Sequence, residues 1–238
     1  MGAENAAGID TGRTNEGDRY MKKVLVIVSH FDDEILGCGG TVLRHISQND
    51  KVCVAYVCTG SSQRFGEAIL KERKEHASQV LEKAGVQDFY FLDIPLIMAD
   101  TCPQLEIVTA LETVIQSFEP EIVYFHYHED INSDHRIVAD AARVWLRPSK
   151  FECIKSVYQY EVFGSTRNFL PDYYVDISPW IEKKLELLAL YTTEISAQTR
   201  SLETTRIHNQ YRGSEVNTRY AEAFKSYYQI VSPETSEK

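Results

Sequence analysis

"VIVSHFDDEILGCGG", residues 26–40, decides how the chain is read. An apolar β-branched run ends abruptly in His-Phe-Asp-Asp-Glu, and glycines follow at once. Carboxylates at the end of a buried strand are costly to desolvate unless something compensates them. The run reads as a strand over residues 23–29, and the glycine-rich stretch as a helix over residues 37–48 that lets another backbone or side chain approach closely.

The same alternation continues outward. Residues 52–58 read as a second strand, and 67–84 as a charged helix stopped by Gly85, a residue suited to the position after a helix end. A third strand covers residues 88–95, and Pro103 opens a helix to about Phe118. A fourth strand covers residues 121–128, followed by a helix from about His135 to Leu146. Strands and helices in alternation, with continuous apolar strands, predict an α/β fold: a Rossmann-like, mostly parallel sheet with helices on both faces. Beyond Pro148, residues 154–163 and 173–178 read as strands, 179–190 as a helix, and 202–228 as one long polar helix. Residues 1–20 are polar, Gly/Asn-rich and aperiodic, and read as a disordered tail or expression remnant; residues 21–238 read as one domain.

The net charge of −10 argues against nucleic acid as a partner, because a phosphate backbone calls for an excess of Lys and Arg. There is no apolar run near the ~18–20 residues that a membrane span needs, and no secretory signal. The five cysteines are odd in number and scattered, without a C-x-x-C pair, which suits reduced thiols and a cytoplasmic location.

In such sheets ligands bind outside the carboxyl ends of the strands. The first strand delivers "SHFDDE" to that edge and the fourth delivers "HYHEDINSDH", so four of the seven histidines (His30, His126, His128 and His135) fall in these two segments among six acidic residues. A divalent metal is the natural compensation for the opening carboxylates. His30, one of the two aspartates and His135 would form a site with open positions, as catalytic zinc uses. The second aspartate would then be free to act as general base on a metal-activated water. The structural alternative gives Asp134 nothing more than a capping role at the helix that follows. Gly37, Gly39 and Gly40 do not make a dinucleotide fingerprint.

These residues resemble the LmbE-like (PIG-L) N-acetylglucosaminyl deacetylases. "SHFDDEILGCGGTV" resembles their A-H-P-D-D-E signature, and "DINSDHRIVADAA" their second motif. "RKEHASQVLEKAGV", "DISPWIEKKLELLALY" and "YRGSEVNTRYAEAF" resemble later segments, so that the likeness spans nearly all of residues 21–230. The resemblance implies that His30, Asp33 and His135 are metal ligands, that Asp32 is the general base, and that Arg73 reaches the substrate. It implies one Zn2+ per chain, replaceable by Fe2+ or Co2+, and hydrolysis of the acetamide of an N-acetylated amino sugar with release of acetate. His126 or Asn132 would help hold the oxyanion, and Asp134 would orient a neighbouring histidine.

Three departures accompany the likeness. Phe31 replaces a proline, which changes loop stiffness but not the ligands. Asn132 stands where many members carry histidine; it can donate a hydrogen bond but cannot act as an acid. A basic H-P-R-S motif is reduced to "AQTRS", leaving Arg200 and Ser201. Arg147-Pro148 and "EVFGSTRNF" resemble a branch associated with bacterial glycan pathways, which points to a glycan or secondary-metabolite substrate. A homo-oligomer is expected by the same likeness, with "FECIKSVYQYEVF" offering either an interface or an ordinary core strand. The rival readings are a non-haem Fe(II) oxygenase, whose His/Asp/His triad normally sits on a jelly-roll, and a non-catalytic sugar-binding relative.

Overall fold

The computed structural model describes residues 20–194 and 200–231. The expected tail therefore lies outside the described residues, save Tyr20, and so do three residues of "AQTRS". Seven strands form one sheet: β1 (Lys23–Val28), β2 (Lys51–Tyr56), β3 (Asp88–Phe91), β4 (Ile122–His126), β5 (Ser156–Tyr160), β6 (Tyr173–Asp176) and β7 (Ala221–Gln229). Their spatial order is β3-β2-β1-β4-β5-β7-β6. The first five are parallel, and β7 is antiparallel to both β5 and β6. Chain order reverses between β1 and β4, and that reversal opens a crevice at their carboxyl ends.

Period-two alternation sorts the strands' side chains between two cores. Val24, Val26 and Val28 of β1 join one core, with α1 (Asp33–Ser47), α2 (Glu67–Ala84) and α5 (Ile181–Leu188). Leu25 and Ile27 join the other, with α3 (Gln104–Phe118) and α4 (Ser133–Trp145). Both faces are covered, which is why the central strands carry no polar alternation.

Helix α2 has the bounds the sequence predicts, and Gly85 closes it with φ 88°. The long polar helix does not exist as such. Helix α6 (Leu202–Ser214) ends early, and residues 221–229 form β7 instead. Ala, Glu and Lys favour a helix locally, but pairing with strands on both sides overrides that preference. "FECIKSVYQYEVF" supplies β5, which is paired on both edges and buried over its last four residues, so this part of it is a core strand.

The glycines of α1 do admit close neighbours. A Cβ on Gly37 would meet the Tyr160 ring at 2.2 Å, and one on Gly40 would meet Ile177 at 2.6 Å. The helix is broken at Cys38 (φ −147°, ψ 21°). The amides freed by the break, those of Gly40 and Thr41, donate to the Glu222 carboxylate at 2.8 and 2.7 Å.

Candidate metal centre

β1 ends one residue before Ser29, and the chain then turns sharply into α1. Asp32 makes the turn with φ 88°, and its carbonyl accepts the amides of Ile35 and Leu36. Helix α1 thus begins at Asp33, four residues before the predicted start. Phe31, in place of a proline, buries its ring against Tyr56 and Phe91. His30 and Asp33 are drawn together, with the His30 amide donating to Asp33 Oδ2 at 2.8 Å.

Across the crevice α4 begins at Ser133. Its cap is Asn132, whose Oδ1 accepts the Asp134 amide at 3.0 Å. Asp134 is therefore not the cap. It accepts the Ile97 and Ala99 amides and lies 2.9 Å from His30 Nε2, orienting that ring. His30 Nδ1 then sits 3.2 Å from His135 Nε2, and both rings face Asp33 Oδ2, at 3.5 and 3.4 Å. One ligand atom each from His30, Asp33 and His135 lies within 4.8 Å of the others.

His135 is held from behind. Its Nδ1 lies 3.2 Å from Asp130 Oδ2, and the same oxygen accepts the hydroxyls of Ser165 and Thr166 at 3.0 and 2.8 Å. This gives "EVFGSTRNF" its place: it braces the carboxylate that braces the histidine. Sequence reasoning counted Asp130 among nearby acids but gave it no role. Its position two residues before Asn132, in the same motif, was the available signal.

His126 ends β4, accepts the Ser29 amide on Nε2 at 2.9 Å and stacks on His135 with ring centres 4.1 Å apart. Burial, together with neighbouring His135, pushes its pKa down to about 4. It sits beneath the crevice and does not line the cavity, so the expected contact with substrate is not among those the structure brings together.

The cavity above His30 measures about 450 Å³ and is lined by Arg64, Arg73, Asn132, Glu194 and Arg200 among others. Arg73 Nε lies 2.8 Å from Glu194 and its guanidinium sits 4.0 Å from the Phe65 ring centre. Arg200 approaches Asp32 Oδ1 and Oδ2 at 3.3 and 3.0 Å. The eroded motif therefore keeps its arginine, and that arginine is the partner of the predicted base.

Charge is divided unequally between the two aspartates. Burial would raise Asp33, but His135 and His126 beside it hold its pKa well below the usual range. Burial raises Asp32 well above that range, with Arg200 opposing and Asp33 adding to the rise. Burial would lower His135, but the Asp33 and Asp130 carboxylates raise it to about 9.

The residues fit a divalent metal. Asp33 Oδ1 is buried without a hydrogen-bond partner, a costly arrangement that a cation would relieve. The other ring nitrogen of each histidine lies beside a carboxylate, His30 Nε2 2.9 Å from Asp134 and His135 Nδ1 3.2 Å from Asp130, an arrangement common among metal-ligating histidines. His30, Cys58 and Asp134 also converge, but burial keeps the Cys58 thiol pKa well up, and Asp134 is occupied by His30 and two amides.

Residues 25–146 match the profile of PIG-L, the GlcNAc-PI de-N-acetylase family. The chain belongs to that family. YaiS, described as an uncharacterized deacetylase of Escherichia coli (strain K12), is 28% identical over 164 residues, covering 66% of this chain and 82% of YaiS. Among solved structures, the N,N'-diacetylchitobiose deacetylase of Pyrococcus horikoshii superposes with a TM-score of 0.70 at 20% identity, covering 90% of this chain and 88% of that one. GalB, the 4-carboxy-2-hydroxymuconate hydratase of Pseudomonas putida KT2440, superposes with a TM-score of 0.69 at 21% identity, over 91% of this chain and 100% of GalB. At that identity the likeness shows the fold, which carries more than one chemistry. The parallel PIG-L sheet also removes the support for an oxygenase, whose triad was expected on a jelly-roll.

Proposed function

We propose that this protein is a metal-dependent N-deacetylase that hydrolyses the acetamide of an N-acetylated amino sugar or sugar conjugate, with His30, Asp33 and His135 as ligands to one zinc ion. The observation that carries the reading is the convergence of these three side chains beneath the cavity that His30 lines, beside a second carboxylate, Asp32, held separately by Arg200. Iron or cobalt would suit the same donor set. Bound there, such a metal supplies Lewis acidity and lowers the pKa of a coordinated water.

The chain's own residues do the rest. Asp32 takes the proton from the water that attacks the acetyl carbonyl, and its raised pKa brings it toward the working range of a general base. Arg200 fixes both of its oxygens and keeps a positive charge beside it. Asp32 then returns the proton to the departing amine, a task Asn132 cannot perform. Asn132 spends Oδ1 on its cap and leaves its NH2 as a donor on the cavity wall. Arg73, neutralised by Glu194, contributes a flat guanidinium face and shape to the sugar site.

A cytoplasmic place in a bacterial glycan or secondary-metabolite pathway accords with the free thiols and the branch-like motifs. Among the described residues no helix is long and apolar enough to cross a membrane. The test is metal content of the purified protein, with acetate release from a panel of N-acetyl sugars with and without chelator. One metal per chain and chelator-sensitive acetate from a panel member support the proposal. Metal without acetate from any sugar counts against it.

A further inference from the structure

Ile97 stands where the backbone suits glycine. Its φ is 62°, in the left-handed region that a β-branched side chain avoids. The chain around it is fixed from several sides. The Ile94 amide donates to the Val57 carbonyl at 3.1 Å, the Leu96 amide to the Ser61 carbonyl at 3.0 Å, and the Gly60 amide to the Ile94 carbonyl at 2.9 Å. The Ile97 and Ala99 amides both donate to the Asp134 carboxylate, at 2.8 and 3.2 Å. Strained conformations persist where their surroundings over-determine them, and they concentrate at functional sites. Core packing accounts for little of this residue, since it is 46% exposed and lines the cavity above His30. An aliphatic side chain is thus held at a conformational cost with much of its surface turned to the cavity.

The position of Ile97 bears on which part of a substrate it meets. Asp134 Oδ2 accepts the Ile97 amide and also lies 2.9 Å from His30 Nε2, so Ile97 flanks a proposed metal ligand at the reacting end of the cavity. Among the described residues that line the cavity, only Leu96 and Ile97 are aliphatic, and Leu96 is almost fully buried. The apolar part of an N-acyl sugar nearest the scissile bond is its acyl chain. We propose that Ile97 is a specificity-determining residue that receives this chain, and that the site takes acyl groups longer than acetyl, such as butyryl. One acetyl methyl covers only part of an isoleucine side chain, and a longer chain covers more of it. The inference rests on the deacetylase reading and extends it to a wider class of acyl groups. The step remains the same hydrolysis: water adds at the acyl carbon, the C–N bond breaks, the amine takes the water's proton, and butyrate leaves in place of acetate.

The experiment uses zinc-loaded protein and two hydroxamic acids, which chelate a metal and carry an acyl chain without a sugar. Calorimetry compares acetohydroxamic and butyrohydroxamic acid on wild type, Ile97→Gly, Ile97→Ala and a control, Leu105→Ala, at an exposed position of α3 outside the cavity lining. Wild type is expected to bind the butyryl compound with a Kd lower by about fourfold or more, the worth of one covered methylene. Both Ile97 variants should bring that ratio near one, while the control keeps it. Ile97→Gly should also melt about 2–4 °C above Ile97→Ala, because glycine alone of the two is at ease at that φ. A wild-type ratio at or below one, a ratio that both variants keep, or equal melting of the two variants overturns the proposal. So does zinc-loaded wild type that binds neither acid. Amine release from N-acetyl sugars and their N-butyryl counterparts separates the two readings. Cleavage of a butyryl sugar that falls in both Ile97 variants relative to its acetyl counterpart supports the proposal. Cleavage of acetyl sugars alone overturns it and leaves the deacetylase reading standing. If no sugar releases amine, the deacetylase reading fails, and the hydroxamate ratio decides the acyl surface by itself.

Discussion

Asp130 Oδ2 lies 3.2 Å from Nδ1 of His135, on the ring edge turned away from Asp33. The contact fixes which nitrogen of His135 faces the cavity floor and makes that nitrogen a better donor. Carboxylates placed in this way typically change metal affinity by about 10–100-fold. Asp130→Ala is expected to weaken zinc binding by that order, read by competition against a chromophoric chelator. Asp130→Asn should recover part of the loss, because an amide oxygen still accepts from the ring N–H. Equal zinc affinity in wild type and Asp130→Ala would show that His135 needs no such brace.

Asp32 and Asp33 are neighbours in the chain with opposite assignments. Asp32→Asn should lower acetate release by about 10²–10⁴-fold, the usual worth of general-base catalysis, while bound metal is retained. Loss of metal in that variant would mean the two aspartates are assigned the wrong way round. Arg200→Ala tests the same carboxylate from the other side. The guanidinium lowers the Asp32 pKa against burial, so its removal moves the acid limb of the kcat/KM profile to higher pH. An acid limb that stays in place would detach Arg200 from the base.

His135 and Asp130 set opposite pH dependences in the metal-free protein. His135 is raised to about 9, so the metal must displace its proton below that pH. Zinc affinity should rise with pH up to about 9, with more than one proton released near neutrality because His30 is raised too: burial would lower it, but Asp134 and Asp33 raise it. Calorimetry in buffers of different ionisation enthalpy measures the release. The same shift stabilises the metal-free fold fully below the unfolded value of about 6.5 and fades as pH rises through 9. Asp130 is shifted the other way: burial would raise it, but His135 and other hydrogen-bond donors hold it at about 2. Its contribution is complete above about 4 and is lost as pH falls toward 2. Thermal melts of chelator-treated protein should therefore be flattest between these windows. A melting temperature that climbs steadily from about pH 6.5 to 9 would contradict the sign for His135, and one that holds level as pH falls from about 4 to 2 would contradict the sign for Asp130.

The legibility of this molecule follows from where each signal resides. His30, His135 and the Asp32–Asp33 pair were legible as a cluster because the segments that follow two strand ends share one edge, whereas the choice of Asp33 over Asp32 came from the family resemblance and not from the spacing. Asp32's turn conformation and Arg200's contact were not, since a left-handed φ and a pairing across 168 positions leave no local pattern. The sheet's parallel half was legible from continuous apolar strands. Strand β7 was hidden because "AEAFKSYYQ" is built from residues that serve a helix equally well, and only its partners β5 and β6 decide the matter. His126 shows the converse: a histidine in the right segment whose direction, inward under His135, is set by strand register.

Glu222 is the residue that rewards attention to β7. Its carboxylate, almost fully buried, accepts from Lys184 Nζ at 2.7 Å, from the Thr41 hydroxyl at 2.6 Å, and from the two amides at the break in α1. Lys184 also donates to the Leu36 carbonyl, one turn from Asp33. The cluster thus ties β7 and α5 to the helix that carries a proposed metal ligand. Removing one partner of a buried ion pair strands the other charge, at a cost of about 3–5 kcal/mol, whereas replacing both by apolar groups is often close to neutral. Glu222→Ala should lose stability of that order in urea denaturation, and Glu222→Gln nearly as much, because the amide does not neutralise Lys184. The double variant Glu222→Leu with Lys184→Met should recover much of the Lys184 penalty but not the cap on Gly40 and Thr41. Its residual loss is expected near the ~1 kcal/mol typical of a missing helix cap. A double variant no more stable than Glu222→Ala would assign the loss to the cap and the packing instead of to the stranded charge.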